Sequence, residues 1–232
     1  MNGKRAVGED FRVAGLLLAI GSLVFAVGVL LYALLPNDLA LPAAPSSYPD
    51  ALREATSRGS SMTRAGRVIF IGDMLVAAAA LALLSRRRYP RIPDLERVAW
   101  SLIFVAFIPA FVFDSLMGSA LPKLANDSPG SFAAFKSWFD FQFAAGNVPF
   151  GIGGTMVFFA DSRCVTPALR PAVDYAAMAV CGLAFVGGLG YVLGLFVGWQ
   201  LNGPPLLLAA VALGALGVQI ARRADVETSS DS

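Results

Sequence analysis

The chain has 232 residues, 56% of them hydrophobic and 15% charged, with a mean hydropathy of +0.66 and a formal net charge of +2. Soluble domains run nearer about 45–50% apolar and about 25% charged, so an ordinary soluble globule is excluded. The absence of histidine excludes bis-histidine haem, histidine-ligated zinc and any Ser-His-Asp or Cys-His nucleophile.

The apolar residues fall in six blocks, roughly 12–35, 67–85, 96–121, 132–160, 174–199 and 204–221. A bilayer core of about 30 Å takes about 20 helical residues to cross, and backbone groups in lipid must bond internally, so each block is predicted to be a helix. The expected architecture is an all-α membrane protein, a single domain over residues 1–232 with six transmembrane helices in one bundle. The first block, after "MNGKRAVGEDFR", is too long for a secretory h-region of about 7–15 residues and reads as a retained helix. Residues 36–66 read as an outer loop, with proline-rich "PNDLALPAAPSSYPD" forbidding regular structure and a short helix from Asp50 to Ser57, Asp50 at its N-cap. "PKLANDSPGS" and "QLNGPP" read as turns, and residues 224–232 as a disordered tail.

Basic residues orient the bundle. Twelve of the eighteen (Lys4, Arg5, Arg12, Arg86, Arg87, Arg88, Arg91, Arg97, Arg163, Arg170, Arg222 and Arg223) fall on one side. The positive-inside rule makes that side cytoplasmic, with both termini. The charge excess is thereby accounted for, and no basic, aromatic-interleaved patch points to nucleic acid. Cys164 lies in a cytoplasmic loop and Cys181 within the fifth helix, an arrangement that predicts no disulfide. The expected location is a bacterial inner (plasma) membrane, the lipid bilayer being the one certain partner; the Ala-, Gly- and Arg-rich composition suits a bacterium of high GC content. No cofactor or metal is implied.

Polar residues inside the apolar blocks carry what chemistry there is. Asp73, Asp114 and Asp140 are costly in lipid and should face the bundle interior or a wet cavity. Counting along the helices puts Asp73 ~9 Å and the other two ~12 Å from the outer ends. Asp140, Ala144, Asn147, Gly151 and Thr155 share one helical face, while Phe139, Phe141, Phe143, Phe150 and Phe158 are expected to meet lipid. Asp73 shares its face with Ala77 and Ala80. Pro109 and Pro149 each free a carbonyl in a helix beside an acid. Candidate ligand-binding residues are therefore Asp73, Asp114, Asp140, Gln142, Asn147 and Tyr191. The competing reading is structural: Lys136 sits one turn before Asp140 and can pair with it, Arg67 can pair with Asp114, and Tyr191 and Trp199 can add hydrogen bonds.

Gly190, Gly194 and Gly198, at i, i+4 spacing, offer a close-packing face either for a second copy or partner helix, or for a neighbour within the bundle. No catalytic residues are assigned. "FIGD" lacks the first glycine of the Gly-x-Gly-Asp element of intramembrane aspartyl proteases, and "GIGG" lacks the strand and Lys-Ser of a phosphate loop. An enzyme is the weakest class.

"FRVAGLLLAIGSLVFAVGVLL", an outer loop of about 30 residues, and "RAGRVIFIGDMLVAAAALALLSRRR" together resemble a bacterial six-pass membrane protein family that carries only a domain-of-unknown-function label. The resemblance covers roughly the first 100 residues and implies the six-pass fold and no activity. The expected function is an acidic polar pocket near the outer face that binds or transports a cation, a protonated amine or a proton. The alternative is a structural or regulatory membrane subunit whose acids serve helix packing.

Overall fold

A computed structural model describes residues 2–33, 48–85, 93–195 and 203–230, and every element among them is helical. The elements are α1 (Asn2–Ala33), α2 (Tyr48–Leu84), α3 (Pro93–Ser115), a π-helical segment (Leu116–Ala120), α4 (Leu121–Asp127), α5 (Pro129–Ser162), α6 (Pro171–Val192) and α7 (Gly203–Ser230). Six stretches are long and apolar enough to cross a membrane, at 11–31, 48–84, 94–127, 129–162, 171–192 and 203–224. Each overlaps one of the six apolar blocks. Six crossings return the chain to the side on which it started, so we name the two sides the terminal side and the α4 side.

The crossing helices close into a ring in chain order. α1 packs on α2, α2 on α3, α3 on α5, α5 on α6, α6 on α7, and α7 returns to α1. Glycines let several of these backbones meet. A Cβ on Gly72 of α2 would lie 2.5 Å from the Phe25 nitrogen of α1, and one on Gly15 would lie 2.7 Å from the Gly217 oxygen of α7. Gly151 and Gly188 do the same between α5 and α6, where added methyls would lie 2.6 Å from the Cys181 oxygen and 2.5 Å from the Ala144 oxygen. Helices in lipid gain little from apolarity alone, so close backbone approach with dispersion contact is what joins them. The α6–α7 seam is thinner than the other five.

Three expectations change on the α4 side. The helix expected from Asp50 to Ser57 exists, but helix resumes directly beyond it. Arg58 (φ −121°, ψ 19°) marks a kink, and the chain continues as helix to Leu84. Residues 34–47 lie outside the described set. "PKLANDSPGS" is helical rather than a turn: Pro122 and Pro129 sit in the first turns of α4 and α5, where a missing N–H costs nothing. Only Ser128 separates those helices. The glycine face is not continuous, because α6 ends at Val192. Gly194 takes φ +66° and closes the helix with a Schellman pair, Leu195 N–H to Gly190 O and Gly194 N–H to Tyr191 O, both 2.9 Å. Gly198 is outside the described residues. On the terminal side, helix α7 runs on to Ser230 where a disordered tail was expected.

The largest correction concerns α5. Phe139, Phe143, Phe150 and Phe158 are buried, and only Phe141 of that set is exposed. One face of α5 packs on α6 through the polar-and-small stripe, and the phenylalanine face meets α3. Phe113 of α3 stands edge-on to Phe139 at 5.6 Å and to Phe143 at 5.3 Å. α5 is thus the most enclosed crossing helix, which is why a carboxylate, an amide and a lysine survive in it.

Candidate functional site

The three intramembrane acids separate into two environments. Lys136 and Asp140, one turn apart on α5, form an ion pair with both side chains 0% exposed. The Lys136 ammonium also lies 5.1 Å from the centre of the Phe139 ring. Tyr48, at the start of α2, places its hydroxyl among Ser137, Tyr191 and Asp140, and Tyr191 of α6 has Asp140 and Tyr48 as its electrostatic neighbours. Asp140 therefore ties together α2, α5 and α6 and has its countercharge beside it. The pairing expected from the i, i+4 spacing is present.

Asp73 and Asp114 differ. Each is 1% exposed, and their four carboxyl oxygens have no hydrogen-bond partner outside the pair. Among the described residues the group that acts on each is the other, through a side-chain hydrogen bond between the two carboxyls. Their juxtaposition follows from the antiparallel register of α2 against α3 and the π segment. Gly66 backs onto Gly118, where an added Cβ would lie 2.7 Å from the Gly118 nitrogen, and Phe70 meets Phe111 edge-on at 5.8 Å. Asp73 stands one turn beyond Phe70 on α2, and Asp114 stands between Phe111 of α3 and Gly118 of the π segment, so the same seam carries both acids and brings them into contact. The expected Arg67–Asp114 pair is not formed; Arg67 is exposed.

Asp73 also lines a cavity of about 40 Å³ at the axis of the ring, walled by α1, α2, α3, α5 and α7. Its polar side chains are Ser22, Asp73 and Asn147; the rest of the wall is apolar and includes Phe25, Phe107, Phe113, Phe143 and Phe150. Ser22 is 2% exposed and its hydroxyl has no hydrogen-bond partner. Asp114 and Asp140 do not line the cavity. A space of this size has room for a few water molecules, which need polar partners such as these three side chains to stay.

Of the six candidates, then, Asp73 and Asn147 face the cavity and Asp114 stands beside Asp73. Asp140 and Tyr191 belong to the second cluster, and Gln142 is half-buried and outside the cavity wall. Trp199 lies outside the described residues. Ser22 gave no sequence signal, because one hydroxyl in an apolar helix ordinarily bonds to its own backbone.

The terminal side holds further buried acids, Glu96, Asp161 and Asp174. Asp161 accepts hydrogen bonds from the Ala168 and Leu169 backbone N–H groups at 3.0 and 2.9 Å. Arg223 donates to the Thr166 and Pro167 carbonyls. Together they fasten the α5–α6 connection to α7, a structural role. No protein family, characterised protein or solved structure matches this chain.

Proposed function

We propose that this chain is a multi-pass protein of the cytoplasmic membrane that binds and passes a small cation or a proton at Asp73 and Asp114, from a cavity facing the outer side. One observation carries the reading: two buried carboxyls with no hydrogen-bond partner outside their own pair, one of them lining a cavity with room for water. An ionised carboxylate in such surroundings is costly unless a cation accompanies it, and intramembrane acids of this kind mark ion and proton pathways. The room available narrows the ligand class. About 40 Å³ suits a proton, a water-bridged proton or a bare monovalent ion, and disfavours an organic amine. The distribution of basic residues supports placing the α4 side outward.

The test is charge movement by the full chain in proteoliposomes on a solid-supported membrane. Jumps of pH and of sodium or potassium should each be applied to the wild type and to the Asp73→Asn/Asp114→Asn double variant. The wild type should give a transient that the double variant lacks. Identical traces from the two proteins would end the reading.

The second reading, a structural or regulatory subunit, is favoured by the Lys136–Asp140 pair, a buried polar cluster that needs no ligand. If the double variant matches the wild type in charge movement and the protein co-purifies with a fixed partner from native membrane, that reading replaces the first.

A further inference from the structure

We infer that the occupant of the carboxyl pair is a proton, and that Asp73 and Asp114 act in series, Asp73 being the gateway through which Asp114 exchanges with the cavity. The inference rests on the cation-site reading above and goes further by naming the ion and the order of the two groups.

The order follows from an asymmetry between two otherwise similar acids. Both are 1% exposed and neither has a hydrogen-bond partner outside the pair, but of the two only Asp73 lines the cavity. Asp114 is closed off by its own surroundings: Phe113 beside it leans on Phe139 and Phe143, and the π segment that begins at Leu116 packs on α2 at Gly66. Among the described residues, the one ionisable group that faces Asp114 from the elements around it is Asp73, and the one that faces Asp73 is Asp114.

The ion follows from counting oxygens. Hard cations take about six oxygen ligands. The cavity offers one carboxyl, one hydroxyl and one amide from side chains, set among aromatic rings. No third carboxyl, thiol or imidazole joins the two acids in a cluster that could hold a metal ion, among the described residues. A proton needs only a donor and an acceptor. The unpartnered Ser22 hydroxyl and the Asn147 amide are placed to hold the water that delivers it.

The transfer balances in two steps. A hydronium in the cavity loses a proton to an Asp73 oxygen, so that one O–H bond breaks on water and one forms on Asp73. Protonated Asp73 then donates to ionised Asp114: the O–H bond on Asp73 breaks, one forms on Asp114, and the negative charge moves to Asp73. Asp73 is then protonated again from the cavity.

Infrared spectroscopy of the full chain in lipid nanodiscs, following the carboxylic C=O band during exchange into heavy water, tests the order. In Asp114→Asn the remaining Asp73 band should exchange as fast as in the wild type. In Asp73→Asn the remaining Asp114 band should exchange about a hundredfold more slowly, the low end of what a positioned proton-transfer group contributes. Equal rates in the two variants would overturn the series order. If sodium, added at constant pH, abolishes the carboxylic band, the occupant is an alkali ion and the proton assignment fails while the cation site stands. Asp73→Glu, which keeps the carboxyl, should restore fast exchange of Asp114; if it folds and does not, the gateway role of Asp73 is refuted. Loss of the cation-site reading itself would show separately, as absence of any charge transient.

Discussion

Asp140 and the Asp73–Asp114 pair are equally buried, yet they solve the problem of a carboxylate in a membrane in different ways. Asp140 has a cation one turn away on its own helix, fixed by α-helical geometry before any tertiary contact forms. Among the described residues Asp73 and Asp114 have only each other, brought together by the packing of α2 on α3. A buried acid with a local counterion adds to the framework; a buried pair without one requires something from outside the chain. The distinction separates structural from chemical acids without appeal to their depth, which is similar for all three.

The comparison is broken most forcefully at Lys136. Lys136→Met should destabilise the protein by about 3–5 kcal/mol, because it leaves Asp140 buried without its countercharge. Thermal unfolding in detergent reads this directly. The double variant Lys136→Met/Asp140→Leu should recover most of the loss, since replacing a whole buried ion pair by apolar groups is often neutral. If the double variant is no better than the single one, Asp140 has a role beyond the pair.

Smaller effects test the wall and the seam between the two clusters. Gly72→Val forces a methyl against the Phe25 backbone and should cost about 1–3 kcal/mol by overpacking, together with a loss of any charge transient as α1 moves off Asp73. Phe113→Leu removes two edge-on ring contacts and should cost about 1–2 kcal/mol, with Lys136→Met additive to it if the clusters are independent. The smallest change is expected where the sequence looks most alarming: Asp114→Asn should shift stability by less than about 1 kcal/mol, because a neutral amide of the same shape keeps a hydrogen bond to Asp73 and removes a like charge beside it. A large destabilisation there would show that the pair has a structural partner after all.

Much of the fold was legible from residues alone because the bilayer imposes it. A hydrophobic block of about 20 residues has few alternatives to a helix, and Lys136–Asp140 follows from spacing. What could not be read depended on which neighbour a side chain meets. Phe139 and Phe158 would look the same facing lipid or facing α3, since lipid and protein interior are about equally apolar. The helical run through Pro122 and Pro129 was hidden because proline breaks a helix in its middle and suits it in the first turn. Gly194 satisfied the spacing of a packing stripe while serving as the residue that ends the helix. For the site, three acids at similar depth were visible in the sequence. Which two would meet depended on the register of α2 against α3, set by Gly66, Gly118 and the Phe70–Phe111 contact.

The ring order has a consequence for how the protein is made. Each new helix finds its predecessor as its neighbour, so assembly can follow synthesis step by step until the last helix, which must dock on the first. Leu206, Ala210 and Leu213 of that last helix form part of the cavity wall. Until α7 emerges, Asp73 stands at an unsealed interior, and a prematurely terminated chain would expose its most hazardous carboxyl to lipid. Docking of the last helix and closure of the cavity around Asp73 are therefore the same event.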